Sequence, residues 1–162
     1  MKKGFVILLC ALLLAGCGVR DTFETVADEL IAPVMASPRQ VHLELPEEAE
    51  AAAFPSASGT LFICDDYEIS VETLASGDLD ATLKTMTGQG QENLSLVTTK
   101  QGSCTRYDFV WAGVNDDGDF SGRGTVLDDG EYHYCLSLVR PLDRMNHSQI
   151  VWHQVFSSFT VV

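Results

Sequence analysis

The chain has 162 residues, about the length of one domain. Ten Lys and Arg stand against 23 Asp and Glu, a formal net charge of −13. That balance excludes recruitment by charge to nucleic acid or to anionic lipid head groups. The N-terminus departs from this average. Lys2 and Lys3 precede an uninterrupted apolar and small-residue run from Phe5 to Leu14, followed by Ala15, Gly16 and Cys17. A run of about ten residues is roughly half of what a bilayer-spanning helix needs. A basic start, a short apolar core and a small-residue end are the layout of a secretory signal.

Leu14-Ala15-Gly16-Cys17 resembles the lipobox of bacterial lipoproteins. The resemblance implies cleavage before Cys17, a diacylglycerol thioether on its sulfur, and an extracytoplasmic protein held to a membrane by that lipid. Cys10 leaves with residues 1–16. So do both lysines, and the remaining chain carries 8 Lys and Arg against 23 Asp and Glu, a net charge of −15. No polybasic patch assists the lipid.

Cys64, Cys104 and Cys135 are widely spaced, with no C-x-x-C pattern and no His at ligand spacing, so a zinc site is not expected. Two readings stand for the thiols. One disulfide forms and leaves a thiol over, or all three are small apolar strand residues.

Residues 17–39 read as lipid anchor and tether, with Pro33, Pro38 and a short helical pattern from Asp21 to Ile31. Residues 40–162 read as one α+β domain. Val41, Leu43 and Leu45 alternate with polar residues as a strand does, and Pro46 ends the run. The acidic, Ala-rich stretch from Glu47 to Ser58 reads as a loop with a helical turn. Thr60 to Cys64 and Tyr67 to Glu72 form a hairpin about Asp65-Asp66. Asp78 caps a helix carrying Leu79, Leu83 and Met86, which Gly88 and Gly90 stop. A strand over Asn93 to Thr99 leads to three longer ones: Ser103 to Val114, Phe120 to Leu127, and a last run carrying Tyr132, Tyr134, Leu136 and Leu138. Turns at Asn115–Asp119 and Asp128-Asp129-Gly130 join these three into a meander. Ser148 then caps a helix with Trp152, Val155, Phe156 and Phe159 at i, i+3, i+4 and i+7. The tail Ser158–Val162 closes as a strand. The whole predicts an antiparallel sheet of six to eight strands with one face covered by two helices.

The meander running into a closing helix, with Trp152…Phe156-Ser157-Ser158-Phe159, resembles the PsbP-like (Mog1/PsbP) fold of exported bacterial proteins. That resemblance implies binding and assembly roles and fixes no activity.

No residue set reads as catalytic, metal-binding or cofactor-binding. Asn115-Asp116-Asp117-Gly118-Asp119 fails the calcium-loop pattern, since Phe120 and Val126 stand where Gly and Glu are needed. It reads as a polar turn, as does Asp128-Asp129-Gly130. His133 beside Asp128 or Asp129 is the one candidate base, against the simpler reading of a satisfied polar residue. His42, His147 and His153 lack metal spacing. Ser148 and Ser157 lack a nucleophile elbow, and Gly88-Gln89-Gly90 lacks a phosphate-loop continuation. Asp65 and Asp66 are adjacent and not placed as an acid/base pair. Tyr67, Tyr107, Phe109, Trp111, Tyr132 and Tyr134 line a ligand groove or, more simply, pack the core. The expected function is a non-enzymatic module of the cell envelope that binds a small ligand or a protein. The alternatives are an assembly factor of an envelope complex and a hydrolase built on His133.

Overall fold

The computed structural model describes residues 36–52, 58–144 and 149–162, all within the second of two units, Met35–Val162. The signal, Cys17, the Asp21–Ile31 pattern, Pro33, Pro55, His147 and the Ser148 cap lie outside the described residues.

Alternation between apolar and polar residues produces the long strands, and it produces them close to where the sequence places them. These are β3 (Gly59–Ile63), β4 (Glu68–Ala75), β6 (Cys104–Asn115), β7 (Gly118–Asp128) and β8 (Tyr132–Pro141). The shorter strands are β1 (Val41–His42), β2 (Glu50–Ala51), β5 (Val97–Gln101) and β9 (Thr160–Val161). Seven strands form one antiparallel sheet in the order β2-β3-β4-β8-β7-β6-β5, and β1 pairs with β9. Helix α1 (Leu79–Thr87) starts at Asp78, whose carboxylate accepts from Asp80 N at 3.1 Å. It ends at Gly88, in the left-handed region at φ 73°, where a residue with a Cβ would be strained. Helix α2 is Gln149–Ser158.

The class, the strand number and the meander are as the sequence reads. The placement of the helices is not. Instead of sharing a face, α1 and α2 cover opposite faces of the sheet. Tyr134, Leu136 and Leu138 pack with Val155, Phe156 and Phe159 under α2. The intervening Cys135 packs with Leu83 of α1, Phe109, Trp111 and Val126, and His133 bonds Thr82 of α1. Strand β8 is buried on both sides, so its alternation separates two cores instead of core from solvent.

The two cores are built differently. On the α1 face, Phe109 lies opposite Gly124, Trp111 opposite Gly122, and Phe120 opposite Gly113. A Cβ on any of these glycines would run into the facing ring. The alternation of glycine and aromatic across β6 and β7 thereby pins their register. On the α2 face, guanidinium groups lie under the helix. Arg123 sits 4.4 Å from the Phe156 ring centroid, and Arg140 sits 4.1 Å from that of Trp152. Arg106 grips Asp108 through two bonds of 2.7 and 2.9 Å and donates to Phe156 O near the helix C-terminus at 3.0 Å. A cation there complements the helix dipole. Burial opposes ionisation of Asp108, but Arg106 and Thr125 outweigh it and hold the carboxyl below its ordinary value.

Three local readings are corrected. Expected strand 41–45 pairs only over Val41–His42, while Leu43 and Leu45 pack on the core without strand pairing. The strand expected from Asn93 starts at Val97, because Gln91–Asn93 form a 3-10 turn. Within the Glu47–Ser58 stretch, Glu50–Ala51 forms an edge strand on β3.

Candidate functional site

The β3–β4 loop, the β6–β7 turn and the end of β8 meet at one end of the sheet. Register makes this necessary, since Glu68 pairs with Val139 and Phe120 pairs with Pro141. Between them lies a cleft of about 430 Å³. Its floor includes Phe120 and the buried Cys64, Tyr67 and Arg140. Its walls carry Asp65, Asp66, Glu68, Asp117, Asp119 and Asp143. A second hollow of similar volume continues it past Asp117, Asp119, Asp143 and Leu142.

Local chemistry shapes each wall. Asn115 Oδ1 accepts from Asp117 N at 3.0 Å, and Gly118 takes φ 120°, so the turn closes in the fewest residues. Cys64 N donates to Tyr67 O at 3.0 Å, which rounds the β3–β4 loop and leaves Asp65 exposed at its tip. Tyr67 donates its hydroxyl to Glu48 Oε1 at 2.7 Å. That bond holds the Glu48 carboxyl below its ordinary range. Burial, reinforced by Glu48, raises the Tyr67 phenol. Burial also raises the Cys64 thiol. The floor is therefore uncharged at neutral pH except for Arg140, and the walls are anionic.

The two acidic turns thus serve different ends. Asn115–Asp119 is a hairpin turn, as expected, and its position beside Asp65-Asp66 is the feature that sequence reasoning missed. Adjacent hairpin turns three strands apart in the chain come together only through the strand order. Among the described residues no group of three or more His, Cys, Asp and Glu is disposed to hold a metal ion.

Asp128-Asp129-Gly130 lies at the opposite end of the sheet and is bound inward. Asp129 Oδ1 accepts from Glu131 N and Tyr132 N at 3.0 and 2.8 Å. Its Oδ2 accepts from the Tyr134 hydroxyl at 3.0 Å and from Arg39 Nε at 3.3 Å. Burial works against ionisation of Asp129, and these donors overcome it, so the carboxyl lies below its ordinary value. His133 is 1 % exposed. Its Nδ1 meets Thr82 Oγ1 at 2.8 Å, and its Nε2 lies 3.9 Å from Asp128 Oδ1. Burial lowers its pKa despite Asp128 and Asp129. The candidate base is a core residue beneath α1, and neither described cleft reaches it.

The six aromatic candidates divide between the two faces. Tyr67 and Tyr134 belong to the α2 core, with Tyr132 packed against it. Phe109 and Trp111 belong to the α1 core, with Tyr107 beside them. They form no common groove. Ser157 donates to Gln154 O within its own helix at 3.1 Å. His42 and His153 are exposed. Cys64, Cys104 and Cys135 are buried free thiols, and burial pushes Cys135 up to about 12. No helix of the described residues is long and apolar enough to cross a membrane.

Known structures share this layout of sheet and helices. Cyanobacterial PsbP (CyanoP) from Synechocystis sp. PCC 6803 superposes with a TM-score of 0.55 over 80% of this chain and 96% of its own, at 15% identity. The fold is PsbP-like. LpqN, involved in cell envelope biogenesis of Mycobacterium tuberculosis, gives 0.51 over 78% of this chain and 87% of its own, at 10% identity. A protein from Bacteroides thetaiotaomicron gives 0.52 at 11% identity over 75% of this chain, which spans 45% of that protein's length. No protein-family model matches the chain, and no curated protein sequence matches it.

Proposed function

We propose that this PsbP-like domain is a lipid-anchored, non-enzymatic binding module of the cell envelope that takes a cationic segment of a partner protein into the cleft at the β3–β4 and β6–β7 end. The observation that carries the reading is the cleft itself, a concave site of about 430 Å³ with Phe120, Cys64, Tyr67 and Arg140 in its floor and six carboxylates in its walls. Clefts with a few convergent polar groups are where ligands bind, and the wall charge selects for a positive partner and speeds its arrival. The envelope role of LpqN and the lipobox resemblance at Cys17 both favour the location. Residues 1–16 are then the removed signal and the chain that follows Cys17 the anchor and tether, ending before Arg39, which is already bound to Asp129 and Tyr134 of the domain.

A photo-crosslinking residue at Asp119, in the cleft wall, tests this in native membranes against the same residue at Glu131 on the opposite turn. A reproducible protein adduct from position 119 and none from 131 is the expected pattern. Equal yields, or none, refute the cleft as the site. The anchor has its own control: Cys17→Ser abolishes lipid labelling, and continued incorporation refutes lipidation at Cys17.

A second reading, an assembly factor docking by a flat surface, has one observation in its favour. Val97, Val110 and Val114 are 61%, 61% and 76% exposed, and strand pairing puts them on the same face of the β5–β6 edge. Adducts from Val110 in place of Asp119 would select it.

A further inference from the structure

Strand β5 is outermost at one edge of the seven-stranded sheet, and β2 is outermost at the other. The two edges are defended differently. β2 is two residues long and carries Glu50, with Glu47 and Glu48 just before it. A short, acidic edge resists the addition of a further strand. β5 has five residues, Val97–Gln101, and the first four are exposed. It contains no proline. From Asn93 to Tyr107 the sequence holds Lys100 and Arg106 and no acid. The nearest carboxylate on the adjoining strand, Asp108 beside Val97, is gripped by Arg106.

Register identifies the free backbone groups of β5. The two-residue turn Gly102-Ser103 joins Gln101 to Cys104, so that pair exchanges its backbone bonds, and bonded pairs alternate from there. Val97, Thr99 and Gln101 therefore direct their N–H and C=O groups to β6. Those of Thr98 and Lys100 point out of the sheet, and among the described residues nothing bonds them. The Lys100 ammonium is turned back to Thr105 Oγ1 at 2.7 Å.

We infer that β5 pairs antiparallel with β5 of a second copy of this chain, about a two-fold axis at Thr99. Such an edge is complementary to itself, as a two-fold interface requires. An axis at Thr99 sets Thr98 opposite Lys100 of the second copy, twice, and gives four backbone hydrogen bonds with all five residues paired. An axis at Lys100 sets the two lysines against each other. An axis at Thr98 leaves one bonded pair within the strands. Two chains of net charge −13 repel over most of their surface, and here they meet where neither brings a carboxylate. Pairing of five residues makes a small interface, so the dimer belongs to the weak, reversible class.

The test is disulfide trapping of the full-length protein in native membranes. Thr99 falls in a non-hydrogen-bonded pair with its own copy, with Cα atoms about 4.5 Å apart, within disulfide range. Val97 is exposed and on the same face, but two residues from the axis, so its two copies stand roughly 14 Å apart. Under mild oxidation Thr99→Cys should give a species of twice the chain's mass, several-fold above Val97→Cys. The wild type, whose Cys64, Cys104 and Cys135 are buried, sets the background. Equal yields from the two positions, or none above the wild type, overturn the pairing. A Thr99→Cys adduct of another mass overturns the second copy and gives the edge to a strand of a different protein.

Discussion

The two ends of the sheet use the same residue types to opposite effect. At the β7–β8 turn end, two consecutive aspartates are bound inward: Asp129 by four donors, Asp128 by Gly130 N at 2.8 Å and by proximity to His133. At the cleft end, Asp65, Asp117 and Asp119 stand exposed around a hollow. A half-buried carboxylate with several donors is a structural node, because its removal orphans every donor. An exposed carboxylate stabilises little and stays available to a partner. Substitutions at the β7–β8 turn should therefore cost stability, and cleft-end substitutions should cost binding alone.

The largest effect falls on Asp129→Ala, which leaves the buried Tyr134 hydroxyl and two backbone N–H groups without an acceptor. We expect a loss of about 3 kcal/mol in urea unfolding. A loss below about 1 kcal/mol would break the contrast between the ends. Next comes Thr82→Val, which removes the partner of His133 Nδ1 and should cost about 1–2 kcal/mol with little change in volume.

Smaller still is a pH effect from His133 itself. Its folded pKa is depressed, so below an unfolded value of about 6.5 the unfolded chain binds the proton more readily. The stabilising contribution of the neutral imidazole is fully present above that pH and declines as pH falls through it. His133→Gln should flatten the stability profile between about pH 6.5 and 5, and an unchanged slope would place the titration elsewhere. At still lower pH, Asp108 and Asp129, whose pKa values are depressed, lose their contributions in turn as they protonate.

How much of this was legible in the sequence follows from which interactions are local. Caps, turns and period-2 alternation depend on neighbours in the chain, and Asp78, Gly88 and the meander turns were readable for that reason. The face assigned to each helix was not. Tyr134 and Leu136 proclaim one apolar face, yet His133, Cys135 and Ser137 on the other are buried as well, and they look polar or small in a linear reading. The Gly-aromatic pairs across β6 and β7 were present as Phe109-x-Trp111-x-Gly113 and Phe120-x-Gly122-x-Gly124, a signal that takes meaning only once register is known. The cleft is the extreme case. Its walls come from turns that are distant in sequence, and only the strand order β4-β8-β7-β6 brings them together.

The most direct measurement compares the wild type with the triple variant Asp65→Asn, Asp117→Asn, Asp119→Asn in cross-linked capture from native membranes, with urea unfolding of the same two proteins. The account predicts unfolding free energies within about 0.5 kcal/mol of each other and a fall of about tenfold in captured partner, the sum of three rim charges at about 0.5 kcal/mol each. Undiminished capture by a variant that folds as well as the wild type would contradict it.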